Sequence, residues 1–297
     1  MTWNPEERVV VWRGGSESEG AELSLVLTAR GIEHWRFFDG SGSFLLVVSA
    51  ADARRASDEI AAYRAEHTAP PPSPPPLREH PGAWTGVAAY AAVLMVFAIL
   101  TRQSVLGIDW RRAGMLIAGS VIGSEWWRAI TALTLHADTV HLASNLAFGG
   151  FFGFFLGRYF GPGVAWLAIL VAGLVGNVLN ALVQSPDHRS LGASTAVFGA
   201  LGLLTAYTWR RGPRHGSLRA RLAPIVAGIA LLAFTGTGGE RTDIFAHLTG
   251  FAAGFGLGAL LLHKLDLSRV RHAQAIAAAA AAGLLALSWA LALAAVS

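Results

Sequence analysis

The sequence predicts an all-α, polytopic membrane protein preceded by a small α+β domain. Three observations carry that prediction. Of its 297 residues 53% are hydrophobic and only 14% charged, with a mean hydropathy of +0.47, too apolar for a soluble domain of ordinary composition. Apolar segments of spanning length recur from residue 84 to the end of the chain. A proline run, Pro70-Pro71-Pro72-Ser73-Pro74-Pro75-Pro76, divides them from a polar N-terminal stretch.

Residues 1–20 are polar and charged and lack the apolar core of a signal peptide, so the N-terminus is expected to stay on the cytoplasmic side. A Val-rich strand is expected at 8–12 and a helix at 21–29. Strands at 33–38 and 43–49 flank the hairpin signal Asp39-Gly40. Ser49-Ala50-Ala51-Asp52 fits a capping box that opens a helix running to about residue 66. Strand, helix, strand, strand, helix makes residues 1–68 a small α+β domain. It resembles the ferredoxin-like cytosolic domains of some membrane proteases, and the proline-rich stretch 69–83 is an extended spacer.

Seven apolar segments follow: 84–100, 140–156, 164–183, 192–209, 222–234, 244–262 and 273–296. Most approach the roughly 20 residues that a spanning helix needs. Arg210, Arg211, Arg214, Arg219 and Arg221 crowd the fourth connection, and Lys264, Arg269 and Arg271 the sixth, which places both inside. Residues 1–69 carry seven Arg against eleven acidic residues, so the basic excess of the +4 net charge belongs to the membrane part. It reads as topology, with no nucleic-acid motif beside it. The long connection 101–139 then lies outside although it carries Arg102, Arg111, Arg112 and Arg128. Its Trp110, Trp126 and Trp127 suggest a loop lying in the outer interface, where aromatic rings and arginines both anchor, an aromatic belt with no further role being the plainer reading.

With this topology the second, fourth and sixth segments begin at the same face. His141 and Asn145 stand four residues apart, hence on one helix face, at the start of the second. Ser194 opens the fourth after Gly192-Ala193, and His247 lies one turn into the sixth. A hydroxyl nucleophile, an imidazole base and two side-chain donors at one depth are what acyl transfer requires. Each has a plainer reading alone: Ser194 bonded to its own backbone, His141 at the interface, Asn145 as a helix–helix hydrogen bond, His247 as a satisfied core histidine. With no Cys and no His-Glu-x-x-His, thiolate chemistry is excluded and a metalloprotease has little support. Asp243 either orients His247 or caps the sixth helix, and its place where the apolar run begins favours the cap. Gly250 and Gly254, facing Gly199 and Gly202, would let the sixth and fourth helices touch closely.

Together Gly192-Ala193-Ser194, His141-x-x-x-Asn145, Trp127-Arg128 and His247-x-x-Gly250-x-x-x-Gly254 resemble the rhomboid family of intramembrane serine proteases. The resemblance implies a six-helix catalytic core over 84–263, leaving 264–297 as a loop and an added C-terminal transmembrane helix. It implies Ser194 as nucleophile and His247 as base, with His141, Asn145 and the Ser194 N–H forming the oxyanion hole. Phe198 would pack on the catalytic histidine, and the Gly-rich connection 235–239 would be a mobile cap. Thr195 stands where the family usually has glycine, and Gly157-Arg158 where it often has a glutamate. The implied substrates are transmembrane segments of other proteins in a lipid bilayer, cut near the outer face without metal or cofactor, in a bacterial plasma membrane. The rival reading is a non-catalytic rhomboid-like protein that binds transmembrane clients; a transporter lacks an inverted repeat to support it.

Overall fold

The structure, a computed structural model, describes residues 8–40, 42–68, 80–211, 218–236, 243–260 and 272–296. The proline run, Arg214, the side chain of Arg221, residues 237–239 of the Gly-rich connection, and Lys264, Arg269 and Arg271 lie outside the described residues. The chain forms two compact units, Met1–Pro76 and Leu77–Ser297.

The first unit runs β1 (Arg8–Gly14), α1 (Glu17–Ala29), β2 (His34–Phe38), β3 (Phe44–Ser49) and α2 (Ala53–Thr68), the order the sequence predicts. The central strand is β3, antiparallel to both neighbours in the order β1-β3-β2. Alternation along β3 sends Leu46 and Val48 to one face. There they join Trp12, Leu23 and Leu27 of β1 and α1 and Ala56 and Ile60 of α2 in the core. The hairpin between β2 and β3 uses the predicted chemistry: Gly40 has φ +74°, and the Asp39 carboxylate accepts the Ser43 N–H at 3.1 Å. Ser49 accepts the Asp52 N–H at 3.2 Å and donates its hydroxyl to the Asp52 carboxylate at 2.9 Å, fixing the entry to α2.

The second unit begins with α3 (Ala83–Gln103). A folded connection follows, with α4 (Trp110–Gly114), β4 (Leu116–Ile117), α5 (Ala118–Gly123) and α6 (Arg128–Thr131). Next come α7 (Thr139–Phe160), α8 (Pro162–Val183), the short β5 (Arg189–Ser190), α9 (Ser194–Arg211), α10 (Leu218–Gly236), α11 (Ile244–Leu260) and α12 (Ala273–Ala294). Helices α3, α7, α8 and α12 are each long and apolar enough to cross a membrane, whereas Leu222–Phe234 of α10 and α11 are apolar but shorter. The remaining predicted span, α9, is in neither group. Its surroundings give the reason. Every residue from Thr195 to Leu203 is buried, so the first half of α9 faces protein on all sides with small residues that permit close packing, and the helix ends in Arg210 and Arg211.

Helices α9 and α11 pack on one another more extensively than any other pair of elements. The glycines predicted to allow this are at the contact. A Cβ on Gly254 would lie 2.0 Å from the Gly199 carbonyl oxygen, and one on Gly202 would lie 2.2 Å from that of Phe251. The last helix is also part of the core. Gln274 donates to the Phe160 carbonyl at 2.8 Å and accepts the Val164 N–H at 3.2 Å, bridging the turn between α7 and α8. Trp289 stacks on Phe97, with ring centroids 4.6 Å apart, and donates its indole N–H to the Thr134 hydroxyl at 3.3 Å.

In the connection between α3 and α7, Trp126 is exposed as an interfacial anchor would be, whereas Trp110 and Arg128 turn inward. Trp110 is only 7% exposed and packs with Phe97 and Trp289. The Arg128 guanidinium is buried, paired with Glu125, and donates to the carbonyls of Arg112, Ala113 and Met115 at 3.2, 3.1 and 3.0 Å. It staples the loop to itself. The Nε–H goes to the carboxylate, and one terminal nitrogen, with two hydrogens, is shared among the three carbonyls, an arrangement the planar arginine fork allows.

Candidate active site

The N-terminal ends of α7, α9 and α11 line a cavity of about 870 Å³ together with the 188–192 segment. Ser194, His247, His141 and Asn145 all open onto it. A second cavity of about 530 Å³ lies between α3, α8 and α12 and is lined mainly by apolar side chains. The polar inventory for chemistry is in the first.

Local structure places each group. The Asp138 carboxylate caps α7 by accepting the His141 N–H at 2.8 Å, fixing the helix start one turn before Asn145. Tyr90 of α3 donates its hydroxyl to the Asn145 carbonyl at 2.9 Å, holding that turn from the other side. Gly192, with φ +138°, turns the chain into α9. A Cβ there would stand 2.5 Å from His141 Cε1, so glycine is needed both for the backbone conformation and for the imidazole lying against it. Ser194 is the first residue of α9, so its N–H lies beyond the intrahelical bonds and is available as a donor at the positive end of the helix.

His247 is 8% exposed and its ring centroid lies 4.4 Å from that of Phe198, the contact that the family resemblance implied. Asn145 is 4% exposed, and its side-chain nitrogen is buried with no hydrogen-bond partner among the described residues. Gly250 is at the contact below the site: a Cβ on it would meet the Thr195 carbonyl oxygen at 2.2 Å. Thr195, the departure from the usual glycine, is accommodated by glycines on two neighbours. A Cβ on Gly176 or Gly250 would approach its methyl group to 2.8 or 3.1 Å. At the other end of α7, Gly157 lies against Ala83, where an added Cβ would meet that of Ala83 at 3.3 Å. Its lack of a side chain serves the close approach of α3.

Asp243 acts as the cap that its position predicts. Its carboxylate accepts the Ala246 N–H at 3.0 Å, and its other oxygen accepts from Asn180 and His188, both at 2.8 Å. Trp127 packs beside the cluster of Trp110 and Trp289, and its neighbour Arg128 is the loop staple described above.

The sequence reading passed over His136, Asn177, Asn180 and His188. His136 accepts the Ala193 N–H at 3.4 Å, next to Ser194, and its ring stands edge-on to that of His141 at 5.1 Å. Burial, then the neighbouring His141, push its pKa down to about 4. Asn177 donates to the Ala129 carbonyl at 2.7 Å. The available signal was the pair Asn177 and Asn180, three residues apart on one face of an otherwise apolar helix.

Residues 123–264 match the Rhomboid domain family. The YdcA rhomboid of Bacillus subtilis (strain 168) is 30% identical over 183 residues, which cover 61% of this chain and 89% of that protein. RHOMBOID-like protein 7 of Arabidopsis thaliana is 35% identical over 158 residues, 51% of this chain and 48% of that one. Rhomboid-like protease 1 of Toxoplasma gondii is 32% identical over 156 residues, 52% and 53% of the two chains. The chain thus spans most of the first of these relatives and about half the length of the other two.

Proposed function

The chain belongs to the rhomboid family of membrane proteases, and from that premise we propose that it hydrolyses peptide bonds in or near transmembrane segments of other membrane proteins. Ser194 is the nucleophile and His247 the general base. His141, Asn145 and the Ser194 N–H receive the oxyanion. The hydroxyl of Ser194 attacks the scissile carbonyl while His247 takes its proton. The tetrahedral oxyanion collapses, the amine leaves with that proton, and water, activated in turn by His247, cleaves the acyl-enzyme. Donors aimed at the developing oxyanion can each be worth roughly 10²-fold in rate.

The observation that carries this reading is that one cavity is lined by all four side chains, with the buried Asn145 side-chain nitrogen unpartnered among the described residues. The finer topology belongs to the same proposal. It comprises a six-helix core with α12 added, a ferredoxin-like first unit on the cytoplasmic side, and cleavage near the outer face of a bacterial plasma membrane.

Labelling by a fluorescent fluorophosphonate tests it. The wild-type chain in detergent is expected to react at Ser194, and Ser194→Ala and His247→Ala to lose labelling and cleavage while still folding. The double variant should be no worse than either single one, because groups acting as a unit lose activity non-additively. A wild-type chain that folds, binds transmembrane peptides and never reacts would support the client-binding reading instead.

A further inference from the structure

Asp243 joins three parts of the fold that carry different pieces of the site. Through the Ala246 N–H it fixes the first turn of α11, one turn from the His247 side chain. Asn180, fully buried near the end of α8, donates to its second oxygen at 2.8 Å, and Gln184 reaches the Asn180 carbonyl oxygen at 3.5 Å. His188 Nε2 meets the same Asp243 oxygen that Asn180 does, also at 2.8 Å. A carboxylate only accepts, so the His188 nitrogen facing it carries the proton.

His188 is itself held by the backbone. Its carbonyl accepts the Ala118 N–H at 3.0 Å, and the next two residues form β5, paired with β4. Four residues after His188 the chain reaches Gly192, then Ser194. The carboxylate is therefore the tie between the segment that delivers Ser194 and the helix that delivers His247. Asp243 and His188 line the cavity alongside both. Below them α9 and α11 meet through glycines, which set how close the helices come but supply no directional contact at the level of the reacting groups.

We propose that Asp243, through its hydrogen bonds to His188 and Asn180, is a positioning residue that sets His247 against Ser194. The proposal rests on the reading of Ser194 and His247 as nucleophile and base. Asp243 acts on the reaction through the placement of α11 and takes no proton from the substrate. A displacement of about 1 Å in a reacting group can cost roughly 10²-fold in rate. A tie of two hydrogen bonds beside a helix cap is enough to matter without being the reacting group.

The test uses the full chain in detergent, the rate of fluorophosphonate labelling at saturating probe, and thermal unfolding of each variant. Asp243→Asn keeps a good helix cap but turns an N–H toward two donors. His188→Ala removes one donor, and His188→Gln restores an N–H. The expected result is a maximal labelling rate lowered about 10-fold to 100-fold in Asp243→Asn and His188→Ala, with half-saturation unchanged. Most of the rate should return in His188→Gln, and the unfolding midpoint should not follow the rate. Wild-type rates in both Asp243→Asn and His188→Ala would overturn the positioning role alone. So would losses that track the unfolding midpoint and are not rescued by His188→Gln. A wild-type chain that does not label at Ser194 would overturn the reading of the site, and this inference with it.

Discussion

Placing a single methyl group on Gly254 tests whether the approach of α9 and α11 sets the chemistry. A Cβ there lies 2.0 Å from the carbonyl oxygen of Gly199 and 2.7 and 2.8 Å from its carbon and Cα, all backbone atoms that no rotamer change can move aside. Real Cβ contacts essentially never fall below 3.0 Å, so Gly254→Ala forces the two helix backbones apart by at least about 1 Å. Two costs follow. Overpacking a tight contact is worth about 1–3 kcal/mol of stability. Moving His247 away from Ser194 by that distance is worth roughly 10²-fold in rate. Gly256 is the internal control: it sits two residues along the same helix, with nothing within 4 Å of an added Cβ, so Gly256→Ala carries the same change in helix propensity without the clash. Cleavage and fluorophosphonate labelling, read beside thermal unfolding, separate the costs. Gly254→Ala is expected to lose most of its labelling rate while Gly256→Ala keeps it. Equal rates in the two variants would refute the idea that backbone contact at this glycine sets the geometry of the site.

Other expectations follow from the same contacts. Asn145→Ala should lower turnover by roughly 10-fold to 10³-fold with substrate affinity nearly unchanged, and should retain slow labelling; normal turnover with weakened binding would make Asn145 a docking residue. Arg128→Ala leaves the half-buried Glu125 and three loop carbonyls without their donor, and should cost about 1–3 kcal/mol in unfolding experiments, most of which Arg128→Lys cannot recover. His136 is neutral when folded down to about pH 4, whereas the unfolded chain takes up a proton below about 6.5, so stability falls as pH drops through that window, by up to about 3 kcal/mol. Unfolding midpoints at pH 7 and pH 4.5 should differ less in His136→Gln than in wild type. Deleting residues 1–76, which form a compact unit of their own, should leave labelling of Ser194 intact, and loss of labelling in a folded truncation would make that unit part of the catalytic machine.

What the sequence made legible was whatever has a period or a cap. The strands and helices of the first unit follow from alternation, from Asp39-Gly40 and from the Ser49-Asp52 box, and the long apolar helices follow from hydropathy. Ser194, His247, His141 and Asn145 were visible because each is polar where its neighbours are not. Within the 104–138 connection the burial of Trp110 and Arg128 was not legible, because Trp and Arg have the same composition on an interfacial loop surface as in a folded plug. Only the partners of Arg128 and Trp110 distinguish the two. His136 and His188 were passed over for a related reason: they lie in polar segments where a histidine does not stand out. Their importance comes from what they touch, Ala193 and Asp243, which are 57 and 55 residues away.

The three buried asparagines of the second unit bear on the plainest alternative for Asn145, a polar pin between helices. A pin must make a hydrogen bond, since a buried amide left without one costs about 1–3 kcal/mol. Asn177 meets that requirement at the Ala129 carbonyl and Asn180 at the Asp243 carboxylate. Both are what a pin in this fold looks like. Asn145 is as buried as they are, on the face of α7 that lines the cavity, and its side-chain N–H groups have no partner among the described residues. Among these three asparagines the cost falls on Asn145 alone, one turn from His141 and in the cavity that Ser194 also lines. A donor left unsatisfied there is satisfied when an oxygen enters the cavity, and most strongly when that oxygen carries negative charge.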